Sequence, residues 1–178
     1  MKKHNNGFVL WLTGLPCSGK TTLALEIKKR LLHHGLRVKL LDGDSFRKKY
    51  SKDLGFSAKD RNLNIRRAAR MASLWAEKKL AVIAAFVSPY RANRAFARKA
   101  ISNFVEVYLD CPVTVCEKRD VKGHYKLART KKIRHFTGVS DPYQKPLRPE
   151  IKLRTDRESA RACAEKILNY LKTKDFFD

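Results

Sequence analysis

Apolar and polar positions fall along this chain in blocks that switch between strand and helix spacing. Phe8-Val9-Leu10-Trp11-Leu12-Thr13 is a short apolar run, the pattern of a strand buried on both faces. From Thr22 to His34 the positions Leu23, Ile27 and Leu31 recur on one helical face. Arg37 to Asp42 reads as a second strand. Ser57-Ala58-Lys59-Asp60 is a capping box with Asp in place of Glu or Gln. The helix it opens should run to about Lys79, with Ile65, Ala69, Ala72 and Ala76 inward. Leu80 to Val87 is almost wholly apolar, as a central parallel strand should be. Arg91 to Ile101 reads as a basic helix, Phe104 to Leu109 as a strand and Val113 to Arg119 as a short helix. Asp120 to Pro149 has no sustained periodicity and is rich in Lys, Arg and turn residues, which predicts a mobile lid rather than scaffold. Ile151 to Arg154 is a last short strand, and Glu158 to Leu171 a closing amphipathic helix. Strands alternating with helices predict an α/β fold, a parallel sheet covered on both faces, with ligands gathering at the carboxyl ends of its strands. No repeat, low-complexity segment or linker interrupts the pattern, so residues 1–178 are read as one domain.

Between the first strand and the first helix stands Gly14-Leu15-Pro16-Cys17-Ser18-Gly19-Lys20-Thr21, a complete G-x-x-x-x-G-K-[ST] phosphate-binding loop. Gly14 and Gly19 permit the backbone angles that turn successive N–H groups toward phosphate oxygens. Lys20 would reach the β- and γ-phosphates, and the Thr21 hydroxyl would ligate Mg²⁺. The helix continuing through Thr22 aims its positive end at the same anion. A plain Gly-containing βα turn is the bland alternative, and the strand–loop–helix order argues against it. The fold class narrows to a P-loop NTPase-type sheet whose loop, Gly14 to Thr22, binds a nucleoside triphosphate.

The 178 residues are 43% hydrophobic, enough for one ordinary core. No apolar stretch approaches the roughly 20 residues of a membrane span. The basic Met1 to Gly7 precedes a run too short for a signal peptide, and cleavage there would destroy the loop, so the cytosol is the expected compartment. Cys17, Cys111, Cys116 and Cys163 form no C-x-x-C pair, and Cys17 sits inside the loop, which favours reduced thiols. The formal net charge of +23 is spread along the whole chain. Anionic ligands and general surface character account for it in the favoured reading. Association with nucleic acid or acidic surfaces is the less favoured one.

Residues leaving the strands carry the chemistry. Asp42-Gly43-Asp44 leaves the second strand, Ser88-Pro89-Tyr90-Arg91 the third and Asp110-Cys111-Pro112 the fourth. Phosphoryl transfer needs Mg²⁺ and a group that orients or deprotonates the attacking hydroxyl. Many phosphate-loop proteins draw a metal carboxylate from the third strand, where this chain has Ser88. Asp44 is therefore the candidate for base or metal-water ligand, against a plain turn with a helix-capping Asp. Ser88 reads as a phosphate carrier, a donor to substrate or a turn residue, with substrate contact favoured because in-line transfer needs no covalent intermediate. Arg47 and Arg61 are placed beside the pocket, where an Arg fork matches phosphate or sulfate oxygens. Arg66 and Arg67 fit a solvated helix face. Phe56 and Phe136 offer either a stacking face for a purine or ordinary packing.

Asp42-Gly43-Asp44…Arg47, Lys52-Asp53-Leu54-Gly55-Phe56-Ser57 and Asp60-Arg61…Asn64-Ile65-Arg66-Arg67 closely resemble the adenylylsulfate (APS) kinases. So do Phe86-Val87-Ser88-Pro89-Tyr90-Arg91, Cys116 to Asp120, Lys122 to Lys126, Phe136-Thr137-Gly138, Pro142-Tyr143 and Pro149-Glu150, in that order. The resemblance covers about Gly7 to Leu171. It implies transfer of the ATP γ-phosphoryl group, with Mg²⁺, to the ribose 3′-hydroxyl of adenylylsulfate, giving the activated sulfate donor PAPS. By position it implies that Arg47, Arg61 and Asn64 hold the phosphosulfate and ribose, and that Phe56 and Phe136 sandwich the substrate adenine. Val87 and Ser88 would contact substrate largely through backbone, Lys122 would approach the transferring phosphate, and Arg119 would border the ATP adenine. A family phosphoserine intermediate would fall on Ser88. The family is often dimeric, so a homodimer is expected, with no membrane partner.

The chain departs from the family pattern at Ser45, Val121, Thr130-Lys131-Lys132 and His135, and in a short Ile101-Ser102-Asn103 connection. These departures bear on acceptor preference rather than reaction type. No sulfurylase-like region accompanies the kinase motifs, so a stand-alone kinase is expected. The competing readings are a same-fold kinase for another nucleotide-linked anion and an ATP-dependent nucleic-acid-binding protein.

Overall fold

The structure, a computed structural model, describes residues 6–177; the basic stretch at positions 1–5 lies outside them. In chain order the elements are β1 (Phe8–Thr13), α1 (Lys20–His33), β2 (Val38–Asp42), α2 (Gly43–Tyr50), α3 (Ala58–Glu77) and β3 (Ala81–Ala85). They continue with α4 (Arg91–Ala100), β4 (Phe104–Leu109), α5 (Val113–Arg119), α6 (His124–Arg129), β5 (Ile151–Leu153) and α7 (Ala160–Thr173). The five strands form one parallel sheet in the order β2-β3-β1-β4-β5. β1 lies at its centre with all six residues buried, which is why its sequence does not alternate.

Opposite sides of β1 feed two cores. Phe8, Leu10 and Leu12 pack with Leu23, Ile27 and Leu31 of α1 and with Ile167, Leu168 and Leu171 of α7. Val9 and Trp11 pack on the other face with Ile65, Ala68, Ala69 and Ala72 of α3 and Ala97 of α4. Three alanines on α3 let its backbone lie close to the sheet. Closeness is tightest where Gly7 passes α3: a Cβ there would sit 1.9 Å from the Ala76 carbonyl oxygen. Backbone cannot yield as a flexible side chain does, so Gly7→Ala is expected to cost about 1–3 kcal/mol. A thermal melt should show a fall of roughly 5 °C, and an unchanged melting temperature would refute the close approach.

Two local expectations are corrected, and one helix had no expectation set against it. The segment after Asp42 is that helix, α2, and the helix-capping alternative for the Asp turn holds at Asp42: its Oδ1 accepts from the Ser45 N–H at 3.2 Å, and Phe46 anchors the helix in the core. Its single buried side chain among basic neighbours left too little periodicity to read. Within the expected lid, α6 is regular. Asp120 caps it by accepting from the N–H groups of Tyr125 and Lys126, both at 3.0 Å, and Tyr125 and Ala128 are buried. The α3 capping box is half formed. Ser57 Oγ accepts from the Asp60 N–H at 3.1 Å, but the Asp60 carboxylate takes the Ser57 hydroxyl at 2.7 Å, its side chain being one methylene short of the usual Glu. Among the described residues no helix is long and apolar enough to cross a membrane.

Candidate functional site

The central strand ends directly in the phosphate loop, so the loop is held by the best-packed part of the sheet. Gly19 has φ +94°, a conformation open to glycine, and Cys17 holds φ +59°, which strains a residue with a side chain. Lys20 Nζ curls back and donates to the Gly14 carbonyl at 2.9 Å, the Leu15 carbonyl at 2.6 Å and Ser18 Oγ at 3.3 Å. All three acceptors are neutral. Burial lowers the Lys20 pKa to about 8, against the opposing pull of Cys116, Cys17, Asp44 and Asp42. A cation so placed gains most from an anion with several oxygens. The Thr21 hydroxyl donates to Asp42 Oδ2 at 3.1 Å, so the carboxylate joined to it is Asp42 rather than Asp44. Behind the loop, Thr155 Oγ1 donates to the Ser18 carbonyl at 2.8 Å, and Arg119 Nη2 to the Thr155 carbonyl at 2.6 Å. Arg119 therefore stands beside Gly19 at the donor end.

Asp44 lies in the first turn of α2 and faces the other way, toward the lid. Its carboxylate is paired with Lys122 Nζ, both side chains more than half exposed. The Lys122 hydrogen bond is the main cause holding the Asp44 carboxyl below its usual range, with burial opposing it. The same contact raises Lys122. Arg47, one turn on, donates to the carbonyls of Leu54 at 3.2 Å and Gly55 at 2.7 Å, and its guanidinium covers the Phe56 ring at 4.6 Å.

Arg61 clamps this acceptor side to the lid. Its Nε donates to the Phe56 carbonyl at 2.9 Å, its Nη1 to Thr137 Oγ1 at 2.8 Å and its Nη2 to the His135 carbonyl; Asp141 lies 3.6 Å away. Arg61 thus ties the Phe56 segment to the lid residues on either side of Phe136: the exposed Phe56 ring lies 5.8 Å from its guanidinium, while Phe136 packs edge-on against Tyr125 at 4.9 Å. Asn64, one turn after Arg61, is buried with its Oδ1 unpartnered. A buried acceptor without a donor is costly unless a ligand supplies one. Arg67 makes a bidentate pair with Asp53 at 2.6 and 2.7 Å, and Arg66 lies over Phe96 at 4.7 Å, so both serve the scaffold.

Val87 and Ser88 follow β3. Ser88 is 2% exposed with φ +38°. Its hydroxyl accepts from Trp11 Nε1 at 3.1 Å and donates to Thr13 Oγ1 at 3.0 Å, while Thr13 donates to the Val87 carbonyl at 2.8 Å. The Ser88 hydroxyl is turned into the core, which leaves backbone as its face toward a ligand.

The lid rests on the loop. Tyr125 OH donates to the Pro16 carbonyl at 3.1 Å, and Tyr125, Cys111 and Cys116 form a small core against Leu15, Cys17 and Phe136. Burial pushes the Cys116 thiol up to about 12 and so keeps it neutral. Sequence reasoning missed the joining residues Thr13, Arg94, Tyr125, Gln144 and Thr155, whose roles depend on distant partners. Glu106, a carboxylate inside an otherwise apolar strand, was the readable signal for one of them. Asp42 was considered with Asp44 but set aside.

Comparison with known proteins places this geometry. The family model described as adenylylsulphate kinase matches residues 6–154. The adenylyl-sulfate kinase of Halothermothrix orenii is 43% identical over 99% of this chain and 95% of its own length. That of Clostridium acetobutylicum is 47% identical over 93% of this chain and 84% of its own. The solved structure of the Mycobacterium tuberculosis APS kinase in complex with AMPPNP and APS superposes with a TM-score of 0.90 at 40% identity, over 94% of this chain and 98% of that one. Shikimate kinase from Aquifex aeolicus, at 18% identity and a TM-score of 0.56, shares the fold alone.

Proposed function

Because the chain belongs to the adenylylsulphate kinase family, we infer that it transfers the γ-phosphoryl group of ATP to the 3′-hydroxyl of adenylylsulfate, giving PAPS. The observation that carries the reading is the meeting of two half-sites. The Lys20 loop suits a triphosphate, while Arg47, Arg61, Asn64 and two aromatics suit a second, anionic nucleotide.

ATP enters with Mg²⁺. The donor set at the loop, the Thr21 hydroxyl with the Asp42 carboxylate 3.1 Å away, is of hard oxygens, the kind Mg²⁺ takes. Thr21 and Asp42 would hold the ion, with Asp44 the further carboxylate of the same turn, and what the ion would supply there is neutralisation of charge on the phosphate oxygens. Lys20 turns from the loop carbonyls to the β- and γ-phosphates. Arg119 borders the ATP adenine. Arg61 and Arg47 fork the phosphosulfate, and the Asn64 carboxamide takes a ribose hydroxyl. Phe56 and Phe136 stack the acceptor adenine. Lys122 leaves Asp44 for the transferring phosphate. The acceptor 3′-hydroxyl is held by Asp44, which takes its proton as the bond to phosphorus forms and the bond from the γ-phosphorus to the β–γ bridging oxygen breaks, releasing ADP. Ser88 acts as a spacer whose backbone and that of Val87 border the substrate, rather than as a phosphate carrier. The lid, residues 120–149, closes to exclude water, which would otherwise accept the phosphoryl group.

Residues 1–178 are read as one kinase domain. Leu63 and Leu74 lie exposed on one face of α3 and support a homodimer, checked by light scattering in solution. The four unpaired cysteines support a reducing, cytoplasmic compartment.

Incubation with ATP, Mg²⁺ and adenylylsulfate should give PAPS by mass spectrometry. Turnover of another acceptor with none of adenylylsulfate would overturn the acceptor assignment. Salt-sensitive nucleic-acid binding without kinase activity would overturn the enzyme reading.

A pH dependence follows from Lys20. Its pKa is about 8 without nucleotide, and bound phosphates raise it. Below pH 8 it is charged in both states and affinity for a nonhydrolysable ATP analogue should be flat on its account. Above pH 8 binding must take up a proton, so affinity should fall, by up to about tenfold per unit. Calorimetry in buffers of different ionisation enthalpy at pH 9 would detect that uptake; no uptake would refute the assignment.

A further inference from the structure

The end of the lid and the turn after β3 meet on one buried guanidinium. Arg94, on the inner face of α4, is 3% exposed. Its Nε donates to Glu106 Oε1 at 2.8 Å, its Nη1 to the Ser88 carbonyl at 2.6 Å and its Nη2 to the Gln144 carbonyl at 2.5 Å. Three acceptors from β4, the β3 turn and the lid are thereby held by one planar fork, a geometry that a Lys point charge cannot reproduce. Glu106 supplies the counter-charge and is steadied in turn by Arg98 at 3.4 Å.

Both bound segments need holding. Ser88 occupies left-handed backbone, which a residue with a side chain adopts only when its surroundings impose it. The lid segment is stitched to the same turn: the Gln144 N–H donates to the Pro89 carbonyl at 2.8 Å, and the Arg91 N–H to Gln144 Oε1 at 2.9 Å. Tyr143 closes the ring of contacts, its ring 5.7 Å from the Arg94 guanidinium and its hydroxyl 2.9 Å from Thr13 Oγ1. Thr13 is the last residue of β1, next to the phosphate loop.

We propose that Arg94 is a positioning residue for phosphoryl transfer, fusing the Val87–Ser88 turn that borders the acceptor and the Tyr143–Lys145 end of the lid into one rigid body. Lid motion is then confined between Asp120 and Tyr143, and the acceptor pocket keeps its shape while the lid opens. The kinetic part of this rests on adenylylsulfate being the acceptor.

Arg94→Lys keeps the charge against Glu106 but loses the fork. It should raise the adenylylsulfate KM by about tenfold while the ATP KM stays within about twofold. Hydrogen exchange, without nucleotide, should quicken together in residues 87–91 and 143–146 and stay unchanged in residues 14–21. Equal rises in both KM values would overturn the proposal. So would quickened exchange in one segment alone, in neither, or throughout the chain. Should R94K fail to fold, the neutral pair R94Q/E106Q is read by the same two measurements. Failure of the wild type to phosphorylate adenylylsulfate would remove the acceptor reading, and the exchange result would still decide the role of Arg94.

Discussion

Replacing Lys20 by alanine is expected to lower kcat by about 10³-fold, with the fold intact. The side chain donates to three neutral oxygens within 2.6–3.3 Å and sits among no carboxylate that its loss would leave unpaired. Its removal therefore costs little structure. It does remove a desolvated positive charge from the spot where the γ-phosphate must stand, and a desolvated charge is worth far more than one in water. The many other cations of the chain cannot stand in, because none lies within the loop. Arg at position 20 should do no better than Ala, since a planar fork cannot curl into the space that three oxygens leave for an ammonium. Single-turnover transfer of the γ-phosphoryl group, with a melting curve as control, measures this. Rates within tenfold of wild type would dismiss Lys20 as the phosphate-binding charge.

Asp44→Asn is expected to lower kcat by about 10²–10⁴-fold, because an amide keeps the shape of the carboxylate and accepts no proton. The pH profile gives a second, independent reading. Lys122 holds the Asp44 carboxyl below the usual range, so the wild type should keep its base ionised well into acid. Lys122→Met removes the main cause of that lowering. The acid limb of kcat/KM should then move up, toward the ordinary carboxylate value of roughly 4. The sign is fixed: a base whose pKa rises loses its active form at a higher pH. An acid limb that stays in place in K122M, or persists unaltered in D44N, would assign the base elsewhere.

Much of the fold was legible because it rests on local pattern. β1 and β4 fall where the apolar runs Phe8 to Thr13 and Phe104 to Leu109 put them, and Ser57 caps α3 as expected. The phosphate loop was legible because its chemistry is contiguous. What escaped were elements secured from outside. α2 has one buried side chain, and α6 is made by an Asp120 cap and a tyrosine resting on the loop. The site divides in the same way. Asp44 and Arg61 were singled out by their place after the second strand, and Asn64 by the family resemblance alone; the structure sets Asp44 and Arg61 on the lid side and Asn64 one turn beyond Arg61. That Thr21 meets Asp42, that Ser88 looks inward, and that Arg94 holds two loops together are contacts across more than twenty residues or against a buried partner. Single-chain patterning does not encode such pairings visibly.

The two halves of the site differ in what lies beneath them. The donor loop grows out of a strand buried along its whole length, while Asp44 and Phe56 stand on exposed segments outside the two main cores. Substitutions under the loop therefore tax the whole molecule, at about 2–5 kcal/mol for a core Leu→Ala such as Leu10. Substitutions at Asp44 and Phe56 themselves, outside those cores, tax the fold far less, unlike those at the buried Asn64, Ser88 and Arg94. Natural drift, or a selection experiment in the laboratory, can therefore reshape the exposed rim of the acceptor site, at Asp44 and Phe56, long before it can rewrite where the phosphate comes from.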